Sequence, residues 1–262
     1  MLRPALANQP FAAARIARFY DCFPFRADVS WYLALARRAG PRLLELACGT
    51  GRLVLPLARA GFRVVGLDAS PAMLAICAGK LAGEEPEARR RVRLVEGDMQ
   101  DFRLDDEFDL ATVAVKSFGY LQSPDDQLAA LRAIARHLRP GGLLALDLLN
   151  PTPDWLAERP GSVRQDICGT TVDGETVMRT EAVVSIDLAT QVKVIRSVYE
   201  LIQADGSVTK DVVEWPFRYT FRYETEHLLE RAGFDVVAVH GGYDGRPFAS
   251  DSSNLLVVAR RR

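Results

Sequence analysis

The sequence predicts an α/β fold carrying a small inserted antiparallel β subdomain, on three observations. Between residues 42 and 149, short β-type runs alternate with helical ones. Between 152 and 222 the alternation gives way to runs rich in Val, Ile, Thr and Tyr, separated by turn signals. After 223 a helical pattern and two strand-like runs return. Strand–helix alternation implies right-handed crossovers and a parallel sheet. Closely spaced strands with turn residues imply hairpins. The expected organisation is N-terminal helices and an α/β core over 1–151, an insertion over 152–222, and completion of the core over 223–262.

Each element has its own signal. Residues 9–39 read as one or two helices. Arg42–Ala47 (RLLELA) is a buried strand, and Arg52–Ala60 a helix ending at Gly61. Phe62–Leu67 is a second strand. Ser70 caps the next helix with Pro71 at its first position, a strong start signal. Val92–Glu96 and Phe108–Val115 are the third and fourth strands. Ser123 or Asp125 opens a helix through His137, and Pro140-Gly141-Gly142 stops it before a fifth strand, Leu143–Leu149. Asp173-Gly174, Asp187–Thr190 and Asp205-Gly206 are turns dividing the insertion into about four strands. Glu224–Ala232 is a helix capped by Gly233, and Phe234–His240 and Leu255–Ala259 are the last strands.

Composition bounds the function. A formal net charge of −1 over 262 residues argues against a dedicated nucleic-acid binder. The run Arg89, Arg90, Arg91 and Arg93 reads as a solvated helix end. Cys22, Cys48, Cys77 and Cys168 show neither zinc-ligand spacing nor a disulfide framework, which fits reduced thiols in the cytoplasm. No secretory signal and no apolar run of ~18 residues is visible. The expected partner is a small molecule, with no nucleic acid, no membrane and no metal.

The chemistry is carried by Glu45-Leu46-Ala47-Cys48-Gly49-Thr50-Gly51, directly between a strand and a helix. Gly49 and Gly51 permit a tight turn and let a ligand approach the backbone where a Cβ would clash; the small Ala47 serves the same end. A dinucleotide fingerprint requires glycine or alanine at position 54. Val54 stands there, so the loop suits a nucleoside without a pyrophosphate. Asp68 ends the second strand, where an acid accepts ribose hydroxyls; an acid before Pro71 also suits a helix start. Asp98 and Met99 close the third strand, placed to accept from an adenine amino group and to donate to its ring; Asp98 also reads as a plain turn residue. All three signals fall at strand carboxyl ends, where open α/β sheets bind ligands.

Residues 43–149 resemble the class I S-adenosylmethionine methyltransferases. LELACGTG matches the family's first motif, VVGLDASPAML its acidic second and VEGDM its third; FDLATVAVKSFGYL resembles the fourth and LRPGGLLALDLLN the fifth. FRYETEHLLERAGF with GGYDGRPFASDS resembles a bacterial small-molecule subgroup similar to amino-sugar N-methyltransferases. The resemblance implies a Rossmann-like seven-stranded sheet with an antiparallel last strand, and S-adenosylmethionine as cofactor. It implies that Gly49 and Gly51 face the methionine part, Asp68 the ribose, and Asp98 and Met99 the adenine. Tyr20, Glu45, Ala47, Ala69, Met73 and Val115 complete the expected cofactor contacts, with helix packing the other reading of Tyr20.

Methyl transfer is an in-line displacement with a neutral leaving group, so the protein must align the reactants and exclude water. A base is needed only if the acceptor, an O or N atom, arrives protonated. The subgroup's SxGH motif places a histidine after strand four; here Ser117-Phe118-Gly119-Tyr120 puts tyrosine in its place. A phenol titrating near pH ~10 is a poor base, so Tyr120 orients the acceptor or packs at the cleft edge. Lys116 reads as a solvated lysine or as a counter-charge to an acidic substrate. His240, beside Gly241-Gly242-Tyr243-Asp244, is the base candidate among three histidines. Ser117 is an expected substrate contact. Trp215–Tyr223 (WPFRYTFRY) is the expected wall of the acceptor pocket, with Arg218 and Tyr219 touching substrate; a homodimer surface is the other reading of the insertion. Alternatives from other classes are a non-catalytic cofactor binder and a nucleic-acid methyltransferase, the latter lacking its D/N-P-P-Y/F/W motif here.

Overall fold

A computed structural model of the chain describes residues 14–23, 28–171 and 174–262, with backbone alone at 166–168. Asp173 and residues 9–13, for which a turn and a helix are expected, lie outside the described residues. Among the described residues, seven strands form one sheet in the order β10-β11-β5-β4-β1-β2-β3, and four form another in the order β6-β7-β8-β9.

In the large sheet β1 (Arg42–Leu46) pairs in parallel with β2 (Arg63–Asp68) and β4 (Phe108–Val113), β2 with β3 (Val92–Glu96), and β4 with β5 (Leu138–Leu149). β11 (Asn254–Arg261) runs antiparallel to both β5 and β10 (Phe234–His240). The central strands are apolar on both faces because both are covered. Leu43 joins Trp31, Tyr32 and Leu57 on one side. Leu44 joins Leu128, Leu131 and Leu228 on the other, since successive strand residues point to opposite faces.

The helices follow their start signals. In α1 (Ala14–Ala17) and α2 (Val29–Ala39) the N-terminal pattern is helical as expected. α3 (Val54–Arg59) begins two residues later than expected because 51–53 form a turn. In α4 (Pro71–Ala82) the Ser70 hydroxyl accepts from Met73 N–H at 3.3 Å. The short α5 (Pro86–Arg89) carries the start of the arginine run. In α6 (Pro124–His137) the Ser123 hydroxyl accepts from Asp126 N–H at 3.1 Å.

Two expectations are corrected here. Pro140-Gly141-Gly142 does not separate helix from strand: β5 begins at Leu138, and the pairing jumps from Phe108↔Leu138 to Leu110↔Leu143. The triplet is a bulge within the strand, with Gly141 at φ +75°. The fourth strand stops at Val113 instead of Val115, because Val115 and Lys116 turn left-handed.

The second sheet comprises β6 (Val163–Thr170), β7 (Thr176–Asp187), β8 (Val192–Ile202) and β9 (Val208–Arg218), all paired antiparallel, with register shifts between Asp166 and Cys168 and between Val183 and Ser185. A short helix, α7 (Pro153–Ala157), precedes it and α8 (Arg222–Arg231) follows it. The N-terminal segment ties this sheet to the rest: Ile16, Phe19 and Cys22 bury against Val177, Tyr199 and Leu201. Among the described residues no helix is long and apolar enough to cross a membrane.

Candidate active site

The carboxyl ends of the parallel strands open into a cavity of about 760 Å3, whose opposite wall is the second sheet. That volume lies within the ~300–1,000 Å3 of small-molecule sites.

The turn after β1 passes through left-handed backbone at Ala47, Gly49 and Gly51, with φ of 51°, 57° and 81°. Its main chain lines the cavity. At Gly51 an added Cβ would meet Cys77 Sγ at 2.5 Å, so α4, packed beneath the turn, also demands glycine there. At Gly49 an added Cβ would meet Met73 Cε at 3.1 Å.

Asp68 closes the turn from below. Its Oδ2 accepts from Gly49 N–H at 2.7 Å and its Oδ1 from Ser70 N–H at 2.8 Å. Burial pushes its carboxyl upward, against the backbone donors Ser70, Gly49 and Ala69. Each carboxylate oxygen keeps acceptor capacity beyond one bond, and Asp68 lines the cavity. It thus serves the helix start and the cavity wall at once.

Behind the turn lies a buried charge cluster. Arg52 donates to both oxygens of Asp28, at 2.6 and 2.8 Å. Burial raises the Glu45 carboxyl to about 8, against the pull of Arg52 and with help from Asp28 and Asp68. Glu45 Oε2 is buried and has no hydrogen-bond partner among the described residues.

Above the turn runs a single 3-10 turn, Tyr20–Cys22. Asp21 accepts from the Thr50 hydroxyl at 2.9 Å and pairs with Lys80 Nζ at 2.6 Å. Lys80 also donates to Thr50 O at 3.1 Å. This clasp sets Tyr20 on the cavity wall, while Phe19 stacks on Tyr199 at 5.3 Å.

The loop after β4 forms a 3-10 turn, Ser117–Tyr120. Ser117 and Tyr120 line the cavity. Tyr120 meets Trp215 and Phe217 edge-on at 5.9 and 6.2 Å, and Trp155 meets Phe217 at 6.4 Å. Burial raises the Tyr120 hydroxyl well above the ordinary phenol range, with smaller contributions from Tyr199, Tyr20 and Glu181. Deeper in the second sheet Trp215 Nε1 donates to Ser197 Oγ at 3.0 Å, Ser197 donates to Glu181 Oε1 at 3.3 Å, and Arg164 donates to Glu181 Oε2 at 2.7 Å.

The expected site residues divide cleanly. Tyr20, Ala47, Gly49, Gly51, Asp68, Met73, Met99, Val115, Ser117 and Tyr120 line the one cavity. Ala69 and Asp98 line a side pocket of about 20 Å3 shared with Met99 and Tyr120. Glu45 stands behind the wall. Three expectations are corrected. Arg218 is buried away from the cavity, donating to Gln127 Oε1 at 2.8 Å and Glu224 Oε1 at 2.5 Å. Tyr219 is buried edge-on to Trp155 at 5.3 Å, also outside the lining. His240 approaches Gly245 O through Nδ1 at 3.0 Å and its ring faces Trp31, outside the lining. His227 is exposed, and His137 is buried with Nε2 accepting from Leu104 N–H at 2.9 Å.

Sequence reasoning missed Asp21, Lys80, Trp155, Glu181 and Ser197. Within the aromatic stretch it named, strand alternation was the usable signal: Trp215 and Phe217 are two apart, so they share a face. For Asp21, Glu181 and Lys80 no local motif exists, because their partners are distant in sequence.

Comparison with known proteins agrees with this geometry. A methyltransferase-domain family model matches residues 43–142. The chain is 30% identical over 234 residues to cypemycin N-terminal methyltransferase of a Streptomyces species, covering 89% of each. It is 32% identical over 242 residues to dTDP-3-amino-3,4,6-trideoxy-alpha-D-glucopyranose N,N-dimethyltransferase of Streptomyces venezuelae, covering 88% of this chain and 94% of that one. The structure of S-adenosylmethionine-bound CalS10, an amino pentose methyltransferase from Micromonospora echinaspora, superposes with a TM-score of 0.69 at 29% identity, covering 97% of both chains. A cavity at the carboxyl ends of β1 to β4, bounded by the glycine turn and Asp68, together with relatives that match nearly the whole chain, leads to one conclusion: this chain belongs to the class I S-adenosylmethionine-dependent methyltransferases.

Proposed function

We propose that this methyltransferase acts on an amine nitrogen of a small molecule, and that the second sheet forms the acceptor chamber. The observation carrying this reading is the aromatic cup of Tyr120, Trp155, Trp215 and Phe217 on the wall opposite the glycine turn. Methylating a neutral amine creates positive charge on nitrogen, and aromatic faces stabilise such charge. Two relatives that match close to nine-tenths of this chain are, by their names, an N-terminal methyltransferase and an amino-sugar N,N-dimethyltransferase.

The cofactor end fits its ligand on two counts. Glu45 Oε2 is a buried acceptor lacking a donor, matching the ammonium of a methionine moiety. Asp68 keeps open acceptor capacity beside the turn, matching ribose hydroxyls. Ala69, Asp98 and Met99 would hold the adenine. Their side pocket of about 20 Å3 has room for roughly one water-sized group, so an aromatic base seats only once neighbouring side chains such as Gln100 or Leu121 move. When bound, the cofactor supplies an electrophilic methyl group.

The chain's own residues align and shield. Tyr20 and the Asp21–Lys80 clasp cover the cofactor end. Tyr120 keeps its proton, because burial raises its pKa. It therefore orients the acceptor as a hydroxyl and removes no proton. Ser117 offers a second polar contact beside it. In this reading the amine reaches the site neutral.

The test is release of S-adenosylhomocysteine across a panel of amines, amino sugars, peptides with free N-termini, alcohols and phenols, with the methylated atom assigned by NMR. Turnover confined to amines supports the reading; turnover confined to hydroxyl acceptors overturns it.

A further inference from the structure

Two consecutive non-glycine residues, Val115 and Lys116, adopt left-handed backbone at φ 52° and 59°. Such backbone is sparsely populated by residues with a side chain and persists only where surroundings over-determine it. A β-branched valine is among the least suited to that region. The bend sits where β4 ends and the Ser117–Tyr120 turn begins, on the cavity wall.

What holds it is a buried cluster that joins the fourth and fifth motif stretches to the closing stretch GGYDGRPFASDS. Asp147, on the neighbouring strand β5, is fully buried. Its Oδ2 accepts from Val115 N–H at 2.9 Å and from the Tyr243 hydroxyl at 2.7 Å. Lys116 Nζ lies 3.3 Å from Asp147 Oδ1 and donates to the Tyr243 hydroxyl at 3.3 Å. Tyr243 comes from the loop after β10, more than a hundred residues downstream. One carboxylate thus takes the amide orphaned by the bend, the lysine beside it and the phenol that covers both.

We propose that Asp147 and Tyr243 are positioning residues for methyl transfer: they lock the Val115–Lys116 bend and so fix Ser117 and Tyr120 at the acceptor side of the cavity. Lys116 is the counter-ion of this lock and not a ligand for an acidic substrate. In-line displacement tolerates little misalignment, and a shift near 1 Å costs about a hundredfold in rate. The lock acts on alignment and leaves the glycine turn and Asp68 untouched. The catalytic part of this inference rests on the amine-acceptor reading above; the lock itself does not.

The test has two arms on wild type, Tyr243→Phe, Asp147→Asn, and Tyr243→Phe combined with Val115→Gly. Hydrogen exchange needs no acceptor. Tyr243→Phe is expected to speed exchange of the 115–120 amides at least tenfold while β5 and β11 keep their protection and S-adenosylhomocysteine affinity, by calorimetry, moves less than threefold. Asp147→Asn is expected to do the same more strongly. Val115→Gly restores protection in the double variant, because glycine takes the bend without steric cost. Unchanged exchange at 115–120, equal acceleration across β4, β5 and β11, or no rescue by Val115→Gly would overturn the lock. The second arm uses dTDP-3-amino-3,4,6-trideoxy-α-D-glucopyranose as probe. Tyr243→Phe lowers kcat at least fivefold with KM within twofold, and Val115→Gly recovers part of it. Wild-type kcat in Tyr243→Phe overturns the positioning role. Absence of turnover by the wild type counts against the amino-sugar form of the acceptor reading and leaves the exchange arm standing.

Discussion

A Cβ on Gly119 would lie 2.3 Å from Phe217 Cε2, so the ring of β9 rests directly on the backbone of the loop after β4. Neither φ nor turn geometry demands glycine there, since its φ is not among the positive ones. The demand is steric. Gly119→Ala therefore forces Phe217, and with it the aromatic cup, away from Tyr120. Overpacking of this kind costs about 1–3 kcal/mol. We expect a lower Tm and an acceptor KM raised several-fold, with cofactor affinity by calorimetry nearly unchanged. Equal loss of both affinities would show the two ends of the cavity to be coupled.

Gly51→Ala is expected to destabilise for two separable reasons. Its φ of 81° disfavours any side chain, a cost of about 1–3 kcal/mol, and its Cβ would meet Cys77 Sγ at 2.5 Å. Adding Cys77→Ala removes the collision and leaves the backbone cost. Urea unfolding of the single and double variants measures the split. Partial recovery is the expected result, whereas full recovery would mean the backbone is not strained.

Glu45 gives a pH signature of known sign. Its carboxyl is raised by burial to about 8, so the folded protein binds a proton that the unfolded chain, with the ordinary value of 4.5, has released. Between these values the folded state holds more protons, and its stability falls as pH rises, by up to about 1.4 kcal/mol per pH unit. Glu45→Gln should flatten the wild-type decline between pH 5 and 8 in urea titrations. If Glu45 receives the cofactor's ammonium, cofactor affinity rises with pH up to about 8 in the wild type and not in Glu45→Gln. A pH-independent wild-type affinity would remove that role.

The Asp21–Lys80 pair, at 2.6 Å, is about one-third exposed on both sides. Partly exposed pairs contribute about 0.2–1 kcal/mol and weaken with salt, so Lys80→Met should speed cofactor dissociation by no more than about fivefold. Stopped-flow release of S-adenosylhomocysteine checks this, and added salt should shrink the difference between the variant and wild type. A change of two orders of magnitude would make the clasp a gate and not a tether.

The parallel half of the fold was legible because its signals are local. The strand, glycine turn and helix at 42–60 lie within twenty residues, and Ser70-Pro71 marks its helix unaided. Pro140-Gly141-Gly142 misled because β4 pairs with both flanks of the bulge, a tertiary fact that outweighs a local breaker. The glycine turn and Asp68 on the cavity wall were readable for the same reason as the strands. The wall formed by the second sheet was not: Glu181, Trp155 and Tyr199 converge from elements far apart in the chain. Arg218 and Tyr219 were drawn in by composition: alternation along β9 sends Trp215 and Phe217 to the cavity and Arg218 away from it, and the strand ends at Arg218, one residue short of Tyr219.

Arg218 therefore carries the sharpest contrast between composition and placement. Its guanidinium is buried, bonded to Gln127 Oε1 at 2.8 Å, Glu224 Oε1 at 2.5 Å and Gln191 Oε1 at 3.5 Å. Gln127 is itself fully buried on α6. Removing the guanidinium strands that amide oxygen and exposes Glu224 to an unpaired charge, at about 1–3 kcal/mol for the unsatisfied group. In a domain of this size that is roughly 2–4 °C of Tm per kcal/mol. Arg218→Ala should thus lower Tm while leaving acceptor KM and cofactor affinity unchanged below the transition. Trp215→Ala should do the reverse: a raised acceptor KM, and a smaller effect on cofactor binding. Measuring both variants by calorimetric unfolding and steady-state kinetics decides the matter, because an Arg218→Ala enzyme with normal Tm and a raised KM would return that guanidinium to the acceptor site.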